Sequence, residues 1–290
     1  MDDDPVEQAV PPLEHVRWTR RPRLNRPVLI TAFEGWNDAG DAATTAVRAL
    51  AEQWRADPFA VIDPETFYDF TSTRPTVRLD EAGHRQIDWP EIQLASATVS
   101  ADLDVITLVG AEPQLRWRTF CEQISGLARH FDARLVITVG ALLADVPHTR
   151  PTPVYGAAYD TDVSEKFGLM PSRYEGPTGI TGVLHTACAE AGLQSASLWA
   201  AVPTYLPGSP SPKAGLALVR RAARLLEVDA DTTTLETESA AYEEQINELV
   251  DADEETSDYV RHLEQAYDEE GMLATGDLID EVERFLRDQG

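Results

Sequence analysis

The sequence has 290 residues, with 50 Asp plus Glu against 24 Lys plus Arg, and its formal net charge is -26 at pH 7. This balance argues against nucleic acid as a partner, because proteins that bind it need a basic face to displace counterions from phosphates. The hydrophobic content of 43 % indicates a globular protein, and no apolar run reaches the roughly 20 residues that span a bilayer. Since the start, MDDDPVEQAV, is acidic and unlike a secretory signal, we predict a soluble cytoplasmic protein with no membrane partner.

Metal ions and cofactors are not indicated by the residue types present. Cys121 and Cys188 are too few for a disulfide framework or a thiolate metal site, and we expect both to be buried free thiols. The six histidines show no ligand spacing. Lys166 and Lys213 are the two lysines of the chain, and no phosphate loop of the form GxxxxGK[ST] is present. We therefore predict no metal site and no cofactor.

The first half of the chain alternates strand and helix signals. Residues 1–26 are polar and rich in proline, so we expect an irregular arm with at most an edge segment. Residues 28–33 form an apolar run of strand length, followed by a glycine-containing loop and a helical pattern that ends near Trp54. Further strand signals follow at these positions: 59–62, 76–79, 92–99 and 104–109. Pro113 then opens a helical pattern that carries Phe120, Cys121 and Ile124 on one face.

The second half continues this alternation as far as residue 226. Its strand signals lie at 135–139, 154–158 and 197–202, and its helical patterns at 162–167, 180–191 and 211–226. Gly192 is predicted to end the second of these helices in the left-handed conformation. Three strands read as continuous apolar runs, and two of them are each followed by an amphipathic helix, which is typical of a mostly parallel sheet covered on both faces. We therefore predict an α/β domain over residues 27–226.

The remaining residues, 227–290, form an acidic tail. They carry 22 acids and three bases, a net charge of -19, which leaves -7 for the first 226 residues. Three helical patterns with narrow apolar stripes predict helices that pack on the core or on a neighbouring subunit, the last with Asp277 as its N-cap and an apolar stripe over 278–286. Residues 17–26 contain five arginines, and we expect this segment to pack near the acidic helices, on its own subunit or a neighbour's.

A candidate crevice lies where three predicted strands end. In an open parallel sheet, ligands bind beyond the carboxyl ends of the strands. The polar residues of those loops, with Trp36 and Trp117 as apolar walls, could support acid-base chemistry on a small anion. The candidate residues are Glu34, Asn37, Asp38, Glu112, Arg116, His148 and Arg150.

Structural roles for the same residues are the favoured alternative. Asn37, Asp38 and Asp41 lie where N-caps are wanted, and Glu112 lies beside Pro113 in an expected first helical turn. His148 lies in a proline-rich loop and could be a surface or packing residue. Arg150 is expected to tie that loop down through a carboxylate or backbone carbonyls.

A glycine-rich segment, GPTGITG at residues 176–182, precedes a predicted helix. Free backbone N–H groups at such a point can hold an anion, so the candidate anion-binding residues are Gly176, Thr178 and Gly179. The favoured alternative is that the glycines let Tyr174 and Pro177 pack closely.

Several separated segments resemble the proteasome assembly chaperone 2 family in its actinobacterial branch. They are FEGWNDAGDAA, GAEPQLRWRTF, GALLADVPHTRP and PSRYEGPTGITGVLH, and later SLWAAVPTYLPGSPSPKAGLAL and YVRHLEQAYDEE, so the resemblance covers roughly residue 27 to the C-terminus. It implies a three-layer α/β sandwich similar to the phosphorylase and peptidyl hydrolase folds, with an added C-terminal helical region and a homo-oligomeric state.

The functional implication of the resemblance is a chaperone of 20S proteasome assembly. Relatives dock through a C-terminal hydrophobic-Tyr-any tripeptide, whereas this chain ends Asp288-Gln289-Gly290, and Thr204 stands where close relatives are expected to have His. We therefore predict a non-enzymatic, homo-oligomeric assembly or interaction protein, with 20S proteasome subunits as candidate partners. The alternative is a small-molecule enzyme at the strand-end crevice, either hydrolase or phosphorylase-like or a carboxylate-amine ligase, as some bacterial relatives are labelled.

Overall fold

The structure, a computed structural model, describes residues 13–170 and 174–273. The strands are β1 (Val16–Trp18), β2 (Val28–Glu34), β3 (Asp57–Ile62), β4 (Thr76–Leu79), β5 (Arg85–Asp88), β6 (Ile92–Ser100), β7 (Leu103–Ala111), β8 (Leu135–Ala144), β9 (Val154–Ala158) and β10 (Ser195–Pro203). The helices are α1 (Ala42–Gln53), α2 (Trp117–His130), α3 (Thr161–Phe167), α4 (Ile180–Glu190), α5 (Pro212–Leu226), α6 (Thr233–Asp251) and α7 (Glu254–Leu273). Short 3-10 turns lie at Ala39–Asp41 and Pro64–Thr66.

Eight of the strands form one mixed sheet, in the order β1-β3-β6-β7-β2-β8-β10-β9. The four strands at its centre, β7, β2, β8 and β10, pair in parallel. The outer pairings are antiparallel. The predicted α/β fold is confirmed, and its sheet is mixed, with parallel pairing confined to these four central strands. Their carboxyl ends therefore meet at one edge, which is where the candidate loops emerge.

Strand β2 shows why the centre of the sheet reads as a continuous apolar run. Its residues 28–33 are all buried, because helices cover both faces of the sheet. Val28 and Ile30 belong to the core beneath α1 and α5, whereas Leu29 and Phe33 belong to the core beneath α2 and α4. The three layers of the predicted sandwich follow from this alternation.

Helix faces and ends follow local rules. On α2, Phe120, Cys121 and Ile124 are buried, as their spacing predicts. Both cysteines of the chain are free and buried, which confirms that prediction. Gly192 has φ of +69°, the left-handed conformation expected just beyond α4.

The two C-terminal helices within the described residues pack on the α/β domain of their own chain. Helix α6 lies against α5, and its Leu235 joins the core beneath α1 and α5. Further along, Tyr242 and Ile246 of α6 and Val260 of α7 form a small apolar cluster with Tyr205, from the loop after β10. The third predicted helix, with Asp277 and residues 278–286, and the chain end at 288–290 lie outside the described residues.

The arginine-rich segment does not pack on the acidic helices of its own chain, so that version of the prediction is wrong. Strand β1 overlaps the start of this segment and pairs with β3 at the opposite edge of the sheet from β9. Its arginines find carboxylates there instead: Arg17 with Asp63 at 3.9 Å, Arg20 with Asp57 at 3.0 Å and Arg26 with Asp132 at 3.2 Å. Backbone pairing of β1 decides the location, because an arginine can pair with any nearby carboxylate.

No helix in the described part of the chain combines the length and apolarity needed to cross a membrane.

Candidate functional site

The loop after β2 places Asp38 at the start of α1. Its Oδ1 accepts hydrogen bonds from the backbone N–H of Ala43 at 2.6 Å and of Thr44 at 3.2 Å, and the Thr44 hydroxyl donates to Oδ2. Asp38 therefore caps α1, the favoured structural role. Burial raises the pKa of Asp38 to about 6, although these hydrogen bonds oppose the rise. Asp41 makes no such capping bond.

Glu112 lies in the loop after β7 and joins two other parts of the chain. Its Oε1 accepts a hydrogen bond from Asn37 Nδ2 at 2.7 Å and another from the backbone N–H of Ile180 at 2.8 Å. Ile180 is the first residue of α4, so Glu112 supplies the negative charge that a helix N-terminus favours. The expectation that Glu112 lies in the first turn of α2 is wrong. That helix begins later, at Trp117, because Gln114 and Leu115 turn back to donate to the Phe67 carbonyl.

The glycine-rich segment before α4 is closed by contacts within the chain. Glu112 occupies the Ile180 N–H, and a Cβ on Gly179 would lie 2.2 Å from Asn37 Nδ2. Tyr174 donates to the Pro177 carbonyl at 2.7 Å and lies against Gly176. The favoured alternative of close packing thus describes this segment. Thr178 packs its hydroxyl against Gly182, where a Cβ would lie 2.2 Å away.

His148 lies in the loop after β8 and is buried. Its Nδ1 lies 2.6 Å from the Tyr205 hydroxyl and its Nε2 lies 3.0 Å from Asn247 Oδ1 on α6. The Lys213 ammonium donates to the His148 carbonyl oxygen. Burial lowers the pKa of His148, so the imidazole is neutral near pH 7 and joins the loop to α6.

Arg150, two residues further on, fastens the same loop to α7. Its Nε and Nη2 donate to Asp268 Oδ1 and Oδ2 at 2.8 and 2.7 Å, and its Nη1 lies 3.2 Å from Glu264 Oε1. Tyr267 of α7 donates to the Pro151 carbonyl at 2.9 Å. The bidentate pair holds both side chains in one plane. Arg150 therefore ties the loop down through carboxylates, the favoured role.

The side chains of the remaining polar candidates, Glu34 and Arg116, are not joined to Asp38, Glu112, His148 or Arg150 by any hydrogen bond or ion pair of the described residues. Glu34 pairs with Arg48 of α1, and Arg116 is exposed where α2 begins. Trp36 is exposed and lines a cavity of about 260 Å³ with Asp38 and Trp199, whereas Trp117 packs in the core beneath α2 and α4 and donates to the Pro113 carbonyl.

The expected single crevice is therefore not formed by these residues. Asn37, Asp38 and Glu112 serve the N-termini of α1 and α4, whereas His148 and Arg150 hold α6 and α7. No hydrogen bond or ion pair of the described residues links the two groups. The sequence predicted where the loops lie in the fold, but it did not predict which groups their side chains contact.

The sequence analysis did not identify the residues to which the His148 and Arg150 side chains hydrogen-bond. These are Tyr205, Asn247, Glu264 and Asp268. Two signals were present, because Tyr205 lies in SLWAAVPTYLPGSPSPKAGLAL and the two acids of α7 lie in YVRHLEQAYDEE, both segments that carry the family resemblance.

Comparison with known proteins shows a family match and several similar solved structures. Residues 32–250 match the PAC2 family. The chain belongs to the PAC2 family. A PAC2 family protein from Streptomyces avermitilis is 44 % identical, with a TM-score of 0.74 over 81 % of this chain and 99 % of the other. A proteasome-assembly chaperone homologue from Mycobacterium tuberculosis is also 44 % identical, with a TM-score of 0.73 over 80 % of this chain and 99 % of the other.

A third solved structure is more distant in sequence but covers more of this chain. This Mycobacterium tuberculosis protein of unknown function is 27 % identical, with a TM-score of 0.82 over 95 % of this chain and 96 % of the other. A search among curated proteins found no match. The predicted family and its α/β fold are confirmed.

The PAC2 match ends at residue 250, near the end of α6. The contact between His148 and Asn247 therefore lies within the matched region, whereas the contacts between Arg150 and α7 lie beyond it. In this PAC2 protein, the loop after β8 contacts both α6 and α7.

Proposed function

We propose that this protein is a non-enzymatic assembly chaperone, acting as a cytoplasmic homo-oligomer on 20S proteasome subunits. Membership of the PAC2 family supports this role, together with the relative described as a proteasome-assembly chaperone homologue. The carrying structural observation is that Glu112, His148 and Arg150 are engaged in helix caps and helix docking. A chaperone needs a stable scaffold and an exposed contact surface rather than reactive side chains.

An exposed contact surface is present on the hairpin of β4 and β5. This two-stranded sheet is separate from the main sheet, and every residue of both strands is exposed. Val77 pairs with Ile87 and Leu79 pairs with Arg85, so these four side chains share one face. Its apolar members, Val77, Ile87 and Leu79, are 52 %, 54 % and 65 % exposed, respectively.

The other face of the hairpin is turned towards the body of the protein. Thr76 and Asp88, which are paired across the strands, line a cavity together with Arg48 and Arg55 from α1 and its end. A hairpin in water normally buries its apolar face, because two strands alone are only marginally stable. Here the polar face points inwards and the apolar face outwards, which favours a protein contact on the outer face.

We infer that a second copy of this chain covers this face. The segment 76–88 carries three acids and two arginines, so it is nearly neutral in a chain of charge -26. Two strongly acidic molecules repel each other at most surfaces, and a neutral apolar surface permits their approach. The same face on both copies can form a self-complementary contact.

The chaperone role is tested by co-expressing the tagged protein with the 20S α-subunits of the same host. We expect the tagged protein to retain an α-subunit or an assembly intermediate at physiological salt. We expect it not to remain bound to mature 20S particles. A tagged protein of similar size and charge from outside the family serves as the control. Failure to retain any α-subunit or intermediate would reject the proposal.

A further inference from the structure

Another cavity lies between α5 and α6 and is also lined by residues of the loop after β8. Its volume is about 750 Å³, and its wall includes one carboxylate, Glu243. Four cations of α5 line it: Lys213, Arg220, Arg221 and Arg224. In a chain of charge -26, this is a local concentration of positive charge.

Two of these cations are neutralised within the chain. Lys213 pairs with Glu243, and Arg220 pairs with Glu236, so both contacts join α5 to α6. These pairs hold the wall of the cavity in place. The other two cations, Arg221 and Arg224, are in neither pair.

Arg221 and Arg224 have no carboxylate partner among the described residues. Arg221 Nη2 donates to the Phe167 carbonyl oxygen at 3.0 Å, a contact that leaves its charge uncompensated. Arg224 lies three residues further along the same helix and is exposed. Residues at this spacing are neighbours on a helix surface, and like charges there destabilise each other.

The burial of Arg221 is a second reason why the two uncompensated charges of Arg221 and Arg224 are unfavourable. Arg221 is partly buried, and burial, followed by the charge of Arg224, lowers the pKa of its guanidinium. The 22 acids of residues 227–290 include two that pair with neighbouring cations of α5, yet none of those described pairs with Arg221 or Arg224. An anion from solution would remove this electrostatic cost.

We propose that this cavity is a binding site for a small phosphorylated molecule, with Arg221 and Arg224 as the groups that hold its phosphate. A planar guanidinium donates two parallel hydrogen bonds to phosphate oxygens, and two guanidiniums on successive turns can hold one phosphate group from two sides. The volume exceeds the size of a phosphate ion, so the remaining space accommodates the organic part of a phosphate ester. Thr152 and Ser239 line that space and offer hydroxyl groups to it.

Binding at this site would tighten the packing of α5 against α6, because the ligand would neutralise the repulsion next to the Lys213–Glu243 and Arg220–Glu236 pairs. This inference does not depend on the chaperone proposal, since no residue that lines the cavity belongs to the β4–β5 hairpin.

The test is isothermal titration of the full-length protein with pyrophosphate and with ribose 5-phosphate, at low salt and constant ionic strength. We expect saturable binding of both probes, and at least a tenfold loss of affinity in Arg224→Gln. The Arg224 side chain has no hydrogen bond or ion pair among the described residues, so the substitution should leave the fold intact. The variant Arg221→Gln should show the same loss, with circular dichroism as a check on folding.

The matched control is Arg118→Gln, which removes an exposed arginine from α2 that also has no ion-pair partner among the described residues. Its affinity for both probes should equal that of the unaltered protein. Binding of pyrophosphate alone would show a phosphate site without room for an ester and would overturn the proposed ligand class. Absence of binding, or an equal loss in Arg118→Gln and Arg224→Gln, would overturn the site itself.

Discussion

The Glu112 side chain accepts a hydrogen bond at 2.8 Å from the backbone N–H of Ile180, which lies 68 residues later in the chain. The first turn of α4 is thus capped by a carboxylate from the loop after β7 and not by a residue of its own. Gly179, at the N-cap position, makes no side-chain capping bond because it has no side chain. The same Glu112 oxygen also holds Asn37, so one carboxylate fixes the loops after two neighbouring strands against α4.

Replacement of Glu112 by Ala should therefore destabilise the protein by about 1–3 kcal/mol, since a buried Asn37 amide and the Ile180 N–H lose their acceptor. Glu112→Gln keeps an acceptor oxygen and loses the charge, so its cost should be smaller, about 0.5–1 kcal/mol. Urea unfolding measures both. Glu244→Ala, on the exposed face of α6, is the control and should change stability little. Equal stability of the Glu112→Ala variant and the control would contradict the capping role.

Gly179 should be intolerant of a side chain. A Cβ there would lie 2.2 Å from Asn37 Nδ2, so Gly179→Ala is expected to cost about 1–3 kcal/mol through overpacking. In an Asn37→Ala background the clash is absent, and the same substitution should cost markedly less. Urea unfolding of the four proteins gives the coupling energy. Additive costs would show that Asn37 is not the obstacle.

The docking of α7 should depend on Arg150. Its bidentate contact with Asp268 and its contact with Glu264 are lost in Arg150→Gln, so trypsin and Glu-specific protease should cut within residues 254–269 faster than in the unaltered protein. Arg78→Gln removes an exposed Arg–Asp contact from the hairpin and is the control. Unchanged cleavage of α7 in Arg150→Gln would mean that the apolar contacts of α7 suffice to hold it.

The same contact should be sensitive to acid. The Arg150 guanidinium holds the pKa of Asp268 below its usual value, so this contribution is present above the ordinary pKa of an aspartate and is lost as the pH falls through the lowered pKa. Protection of α7 from an acid-active protease such as pepsin should therefore decline with falling pH, and the decline should be absent in Arg150→Gln.

His185 on α4 should make the whole fold less stable below neutral pH. It is buried, stacks on Tyr159 at a ring separation of 4.5 Å, and burial lowers its pKa to about 4. The unfolded chain, with a histidine pKa near 6.5, binds a proton before the folded chain does, so stability falls as the pH falls from about 6.5 to about 4. In His185→Phe, this part of the pH dependence, on the order of 3 kcal/mol, should disappear.

The measurement is urea unfolding at several pH values between 4 and 7. The exposed His262 on α7 provides the control, because its side chain has no hydrogen bond or ion pair among the described residues, and His262→Phe should retain the pH dependence. If His185→Phe and the unaltered protein show parallel pH profiles, the protonation of His185 is not the cause.

Self-association should depend on the outer face of the β4–β5 hairpin. Leu79→Lys places a charge on that face and should shift the protein towards a smaller assembly, as measured by light scattering coupled to size-exclusion chromatography. Leu249 on α6 has a similar exposure, 59 % against 65 %, so Leu249→Lys is a matched control that should leave the mass unchanged. An identical mass for both variants and the unaltered protein would place the self-contact elsewhere.

Much of the fold could be predicted because its signals are local. The apolar run at 28–33 became β2 and the spacing of Phe120, Cys121 and Ile124 became the buried face of α2, since burial on both faces and helical periodicity are written in consecutive residues. The candidate site was predictable only as a set of loops. Glu112 was assigned to the wrong helix, because a carboxylate next to a proline resembles a residue of the first helical turn.

The sequence by itself determined the order of strands and helices, the faces they bury, the concentration of acid in the tail and, through its motifs, the family. The tertiary structure decided which groups the polar side chains serve. Arg150 contacts Asp268 across 118 residues, and His148 contacts Asn247 across 99. A charged or polar side chain has many chemically equivalent partners along the chain, and only packing determines which of them lies within hydrogen-bonding distance.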